Sequence, residues 1–440
     1  MDHKVQTELL LSNEPTLPIM TYYDQTPPSE LIDSEDEIPV LTPITDREDS
    51  LVAIIGVGYV GEHLVNIFSN KYAVVGYDVS ESRILQLRSS YTDADRISFT
   101  NKTKDIAEAT HFLISVPTLL LPDKSIDSSA LRAALSLVSK YARTGSVVVI
   151  ESSVAVGMTR SLLGPIAQAK NFSAGMSPER VDPGRTEPPP HTIAKIVSGL
   201  DDVVPGSTDA ISRLYSRVFD TVVPVSSPEV AEMMKLYENC QRMLCIAYAN
   251  EMADACLGHG IDPFEVCRAA ATKPFGYMPF TPGLGVGGHC IPVNPYYLFA
   301  NSEFPLLRAA AEKMRERPRE MCQRIISQLL ASWEKEGRPR VLVVGIGFKP
   351  GQSHVANSPG LELAKQLVVS GQVEVEWADP LVKQEVVPQV SRLDVENWTV
   401  AYLDAHFDLI VVAFRQQGLD FNMLGDLEHA QVQSWCGLLS

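Results

Sequence analysis

LVAIIGVGYVG, residues 51 to 61, sets a glycine turn directly behind a short apolar run. Leu51 to Ile55 is the kind of segment that forms a strand buried on both faces. Gly56, Gly58 and Gly61 then spell G-x-G-x-x-G, with Tyr59 and Val60 inside the pattern, and HLVNIFSN continues at helical spacing. Asp78 closes the next apolar run, KYAVVGYD, seventeen residues beyond Gly61. Between a strand and a helix, such glycines permit a tight turn and let a pyrophosphate approach the helix N-terminus. A carboxylate at the next strand end accepts from a ribose hydroxyl. Asp78 repels a 2′-phosphate, so the pattern selects NAD over NADP.

Further along, HFLISVPT (111 to 118) and SVVVIESS (146 to 153) are two more strands, and SSALRAALSLVSKYA (128 to 142) between them is helical. Strands alternating with helices predict a parallel, doubly wound sheet. From Pro228 some thirty residues of helix formers run to Gly258 without an internal glycine or proline. Ser227 stands as N-cap with Pro228 at the first helical position. At 1.5 Å per residue this helix is about 45 Å long, enough to bridge two domains and to offer a dimer surface. VLVVGIGFKPG (341 to 351) then repeats the opening pattern, and VEVEWADP and FDLIVVAF add strands. The fold expected is α/β, with two Rossmann-like doubly wound domains joined by a helical central domain containing one long helix. The boundaries expected are an acidic disordered tail over 1–49, a first Rossmann domain over 50–225, a helical centre over 226–334 and a second Rossmann-like domain over 335–440. The second copy has Pro350 near the place of the third glycine, so it is expected to hold something other than a dinucleotide pyrophosphate.

Four hundred and forty residues, 45% of them hydrophobic and 21% charged, are enough for two or three domains with buried cores. The formal net charge of −17 disfavours a phosphate-tracking surface, and with it nucleic-acid binding. Residues 1–50 carry twelve acids against Lys4 and Arg47, with six prolines and no glycine, so most of the excess lies in the tail. A tail partner is conceivable on this composition and its identity unknown. With neither a bilayer-length apolar run nor a signal peptide, the chain reads as cytoplasmic and not membrane-bound. Seven scattered cysteines form no disulfide framework, and no metal-ligand spacing is evident.

FTPGLGVGGHCIPVNPYYL (280 to 298) has five glycines or prolines ahead of Cys290. That much backbone freedom implies a tight loop presenting the sulfur to a ligand. Cys240, Cys245, Cys256 and Cys267, on helical segments, read instead as structural, and His289 as a loop-packing residue. Lys235 and Asn239, four apart, share one helix face.

The ordered strings GVGYVG, SVPT, ESSVAVGMT, MSPERVDPG, AEMMKLYEN, GGHCIPVNPYYL and GIGFKPG resemble the UDP-glucose/GDP-mannose dehydrogenase family, from about Leu51 to about Val412. ATKPFGYMPFTPGLGVGGHC looks most like the branch acting on UDP-N-acetylhexosamines, which includes UDP-N-acetylglucosamine 6-dehydrogenases of polysaccharide biosynthesis. The resemblance implies a two-step, four-electron oxidation of a UDP-sugar's primary alcohol to the uronic acid, with two NAD consumed. It implies Cys290 as nucleophile through a thiohemiacetal and a thioester, with Lys235 and Asn239 on the developing oxyanion and Glu179 as general base acting through water. Thr118 and Glu151 fall at its cofactor-contacting strand ends. Arg180, Gly287, Phe348 and Lys349 fall where the nucleotide sugar is held, and a homodimer or higher oligomer is implied.

Three departures qualify the match. Asn294 replaces the aspartate usual four residues after the cysteine, His354 and Ala356 replace an aspartate and an arginine, and WCGLLS lacks a D-T-R-like strand end. The last strand is therefore expected to be degraded. The alternative left open is a catalytically weakened homologue that binds nucleotide sugar or NAD; a two-electron hydroxyacid dehydrogenase leaves the cysteine loop unexplained.

Overall fold

The computed structural model describes residues 50–437 apart from positions 93, 183 and 186; the expected tail, 1–49, lies outside the described residues. In chain order the first half holds β1 (Leu51–Ile55), α1 (Tyr59–Phe68), β2 (Ala73–Tyr77), α2 (Glu81–Ser90), β3 (Ile97–Thr100) and β4 (His111–Ile114). A small ribbon, β5 (Leu119–Leu120) and β6 (Ile126–Asp127), leads to α3 (Ser129–Tyr141), β7 (Val147–Ile150), α4 (Met158–Lys170) and β8 (Ser173–Met176). β9 (Lys195–Gly199), α5 (Ser207–Ser216) and β10 (Val222–Pro224) complete the unit. Its eight strands run β10-β9-β8-β7-β4-β1-β2-β3, parallel throughout except where β8 meets β9. Helices cover both faces, so both are packed with apolar side chains. This is why β7 is the unbroken apolar run VVVI rather than an alternating strand.

The long helix, α6, spans Pro228–Leu257. Ser227 takes the extended N-cap backbone, though its hydroxyl makes no capping bond. α7 (Pro263–Ala271), α8 (Asn294–Phe299) and α9 (Pro305–Ala331) follow. α6 and α9 pack along each other, clamping Leu236, Met243, Tyr297 and Met314 into a central core. Arg317, 1% exposed, locks the pair through both oxygens of Asp254 at 2.8 and 3.1 Å.

The second sheet is built from β11 (Arg340–Val344), α10 (Pro359–Ser370), β12 (Glu374–Ala378), β13 (Ser391–Arg392), α11 (Val400–His406), β14 (Leu409–Val412) and β15 (Gln431–Ser434). All its strands are parallel, in the order β13-β12-β11-β14-β15. The two Rossmann-like units around a helical centre match the architecture expected from the sequence. One expectation is corrected. The last strand is not degraded: Gln431–Ser434 pairs in register with all four residues of β14. Backbone hydrogen bonding supplies this pairing, so the strand does not need the missing D-T-R-like signature.

Candidate active site

Gly56 has φ of +88°, and a Cβ there would sit 3.0 Å from the Ser115 carbonyl oxygen. A Cβ on Gly61 would lie 1.9 Å from the Gly56 carbonyl oxygen, so both positions require glycine for the turn to pass under α1. Gly58 is the N-cap of α1 and leaves its first turn with no side-chain cap. The first amides of a ten-residue helix are thus open to an anion beside Tyr59 and Val60. Asp78 lies against the same turn, accepting from the Val57 amide at 3.0 Å and the Ser80 amide at 2.9 Å. These features fit a dinucleotide. Arg83, which the sequence reading passed over, braces the turn by donating to the Val57 carbonyl at 2.9 Å and to Glu62 at 2.6 Å. Its only signal was its place in the helix after Asp78.

Thr118 stands half-buried at the sheet's switch point, its hydroxyl donating to the Ser153 carbonyl at 2.6 Å. Its own carbonyl accepts from the Tyr297 hydroxyl at 2.8 Å, joining the sheet to α8. Glu151 differs from the expectation of a cofactor contact. It is 0% exposed, and its carboxylate is taken by Lys195 Nζ at 2.6 Å and by the Tyr215 hydroxyl. Burial pushes the carboxyl up to about 7, with the Lys195 charge opposing. The side chain turns into the sheet because two polar groups on β9 and α5, invisible to local pattern, wait for it there.

Lys235 and Asn239 are buried on one face of α6. Lys235 donates to the Glu179 carbonyl, and Asn239 donates through its amide nitrogen to Asn294. Asn294 opens α8, and its own amide donates to the Cys290 carbonyl at 2.9 Å. Cys290 itself is exposed. Burial pulls the Lys235 ammonium down from the usual lysine range, while negative charge on Cys290 and Glu179 pushes back. The structure therefore brings Cys290, Lys235, Asn239, Asn294 and Glu179 into one cluster. Arg242, also missed, joins it by donating to the Asn239 side-chain oxygen. It lies seven residues beyond Lys235, two helical turns along the same face.

The Glu179 carboxylate accepts from the amides of Arg180 and Val181. The Arg180 guanidinium is spoken for, donating to Glu238 at 2.5 Å and the Ala194 carbonyl at 2.8 Å, so it braces the loop against α6. The second glycine turn meets the cysteine loop directly. A Cβ on Gly287 would sit 3.1 Å from the Phe348 Cβ, and Gly288, at φ +93°, lies under the Phe348 ring. The positions that depart from the family pattern serve through their backbone: Gly288 donates to the Ala356 carbonyl at 2.9 Å, and Phe348 to the His354 carbonyl at 2.8 Å. His289 packs edge-on against His354, 6.2 Å between ring centres. Lys349 reaches across to Asp182 at 2.6 Å. Among the described residues no group of three or more His, Cys, Asp and Glu is placed to hold a metal ion, and no helix is long and apolar enough to cross a membrane.

Residues 50–219 match the NAD binding domain of the UDP-glucose/GDP-mannose dehydrogenase family, and residues 229–313 match its central domain. A UDP-N-acetyl-D-glucosamine 6-dehydrogenase of Pseudomonas aeruginosa is 33% identical over 369 residues, covering 77% of this chain and 84% of that protein. The chain belongs to the UDP-glucose/GDP-mannose dehydrogenase family. A protein of the same description from Salmonella typhi is 32% identical, over 85% of this chain and 91% of its own length. The fold agrees with the solved UDP-D-ManNAc dehydrogenase of Pyrococcus horikoshii, at a TM-score of 0.77 and 24% identity over 88% of this chain and 95% of that one. As a member of the UDP-glucose/GDP-mannose dehydrogenase family, the chain is an NAD-dependent oxidoreductase that oxidises a UDP-sugar to the uronic acid. NAD is its cofactor.

Proposed function

We propose that this enzyme is a 6-dehydrogenase of a UDP-N-acetylhexosamine, or of UDP-glucose, working through a covalent intermediate on Cys290. The observation that carries the reading is the exposed Cys290, held by Asn294 beside the buried Lys235 and Asn239 face of α6. The UDP-N-acetyl-D-glucosamine 6-dehydrogenases among its relatives, at 33% and 32% identity, favour the acetamido sugars. Residues 50–225 would bind NAD, 226–334 would carry the nucleophile and the dimer surface, and 335–440 would hold the nucleotide part of the substrate.

Gly56, Gly58, Tyr59, Val60, Gly61 and Asp78 would hold NAD, which supplies the hydride acceptor for both oxidations. Phe348, Lys349 and Gly287 line the side where the UDP-sugar would lie, with Lys349 as a point charge for phosphate. The Cys290 thiolate adds to the C6 aldehyde, giving a thiohemiacetal whose oxygen gains negative charge. Lys235 and Asn239 donate to that oxygen, and the low-dielectric setting of α6 makes those donors effective. After the second oxidation leaves a thioester, Glu179 takes a proton from the attacking water, and the acid departs as the Cys290 thiolate re-forms.

Val230, Met233, Tyr237, Tyr248 and Met252 are exposed along α6, which supports a homodimer seated on this helix. Light scattering at micromolar concentration should return at least twice the monomer mass; a monomer would remove the dimer reading. The function itself is tested by NADH absorbance across a panel of UDP-hexoses and UDP-N-acetylhexosamines. Two NADH per sugar with one of them is the expected result. Binding without NADH from any of them would leave only the weakened homologue.

A further inference from the structure

Behind Glu179 lies a buried charge array that the proposed reaction does not yet use. Lys195, on β9, is 3% exposed and reaches three acceptors: Glu151 at 2.6 Å and the carbonyls of Ser177 and Pro178, each at 3.4 Å. Three acceptors match the three N–H bonds of an ammonium. The same nitrogen lies 4.0 Å from the second oxygen of Glu179, the one that accepts neither the Arg180 nor the Val181 amide. Glu151 is closed off on its far side by the Tyr215 hydroxyl, and the Glu151 carbonyl accepts from the Glu179 amide at 3.3 Å.

We infer that Lys195 is a positioning residue for Glu179: one buried ammonium, shared between Glu151 and Glu179, holds the Ser177–Pro178 backbone in place and keeps the Glu179 carboxylate charged at the edge of the reaction cleft. The inference rests on the reading of Glu179 as the base of thioester hydrolysis. An opposite charge at about 4 Å favours the ionised carboxylate by roughly 1 to 3 pH units. The other groups facing Glu179 supply no substitute. Lys235, from α6, donates to its carbonyl and not to its carboxylate, while Tyr59 from α1 and Tyr215 from α5 are neutral phenols. Arg180 is committed to Glu238, and Asp182 to Lys349. Glu151 tunes the arrangement, because its carboxyl, raised to about 7, competes for Lys195 only once it ionises.

The test is the pH profile of uronic acid formation by the full-length enzyme and its variants. Lys195→Met should move the acid limb upward by a unit or more, so that the rate at pH 6 falls at least tenfold and recovers towards pH 9. Lys195→Arg should restore most of the loss. Glu151→Gln, which keeps neutral partners for Lys195 and Tyr215 and so guards against a misfolded methionine variant, should lower the limb or leave it in place. A rate lost equally at every pH in Lys195→Met, or an upward shift in Glu151→Gln, would overturn the inference. Glu179→Gln separates it from the reading beneath: if that variant keeps the wild-type limb, Glu179 is not the base and both fall, whereas an abolished limb with Lys195→Met unshifted removes Lys195 alone.

Discussion

Replacing Asn294 by aspartate adds one negative charge where the structure already supplies a donor for it. Asn294 is 2% exposed and accepts from the Asn239 amide, which in turn accepts from Arg242. Asn239 lies one helical turn from Lys235, and such neighbours have Cβ atoms about 5 to 6 Å apart. At ~7 Å and an effective dielectric of about 20, a carboxylate at 294 and the Lys235 ammonium attract by about 2 kcal/mol. Burial draws the Lys235 ammonium down, and the oxyanion needs that ammonium charged. Lys235 loses its proton as pH rises, so added negative charge should carry the alkaline limb of the rate upward by about one to two units. Around pH 9 this corresponds to roughly tenfold faster turnover. Burying the carboxylate also costs hydration that one charge-assisted bond offsets only in part, so stability should fall by about 1 to 3 kcal/mol. Steady-state NADH formation across pH, with thermal melting alongside, reads both quantities. A folded Asn294→Asp enzyme that binds NAD normally but shows an unmoved alkaline limb and unchanged turnover refutes the reasoning.

Cys290→Ser should bind UDP-sugar within a few-fold of wild type but lose acid production, because a hydroxyl without an activating base is a far poorer nucleophile; two NADH per sugar at the normal rate would contradict the covalent route. Asp182→Asn frees Lys349 from a half-exposed pair worth about 0.2 to 1 kcal/mol, so UDP-sugar should bind up to about fivefold tighter in calorimetry, and weaker binding would count against Lys349 as a phosphate contact. Glu151 is raised from 4.5 to about 7 in the folded protein. Its contribution to stability is therefore complete below 4.5 and lost as pH climbs through about 7. Urea unfolding of Glu151→Gln at pH 5 and pH 8 should show a smaller decline than wild type, and parallel declines would show that the group carries no such linkage.

Local patterns made the fold legible in the sequence. G-x-G-x-x-G behind an apolar run, its echo at Gly345, and thirty helix formers after Pro228 each report their own backbone, because turn geometry and periodicity depend on neighbours a few residues apart. The cysteine loop was legible for the same reason, its glycines and prolines marking a turn that presents Cys290. The Lys235 and Asn239 face followed from their spacing of four. Even β15 was underread only because a motif was sought where backbone pairing sufficed.

Which polar groups meet was decided in three dimensions. Glu151 stands at a strand end where a doubly wound sheet presents ligands, and nothing near it in the chain announces Lys195, 44 residues on, or Tyr215, 64 residues on. Asn294 finds Asn239 across 55 residues, and Lys349 finds Asp182 across 167. A carboxylate leaves water only when a partner is folded against it, so whether it faces a cofactor or a buried ammonium depends on the packing of other elements. The sequence alone determined the strands, the turns and the loop that bears the nucleophile. The tertiary structure alone decided which charges share a buried site, because that energy exists only once distant segments have excluded the solvent between them.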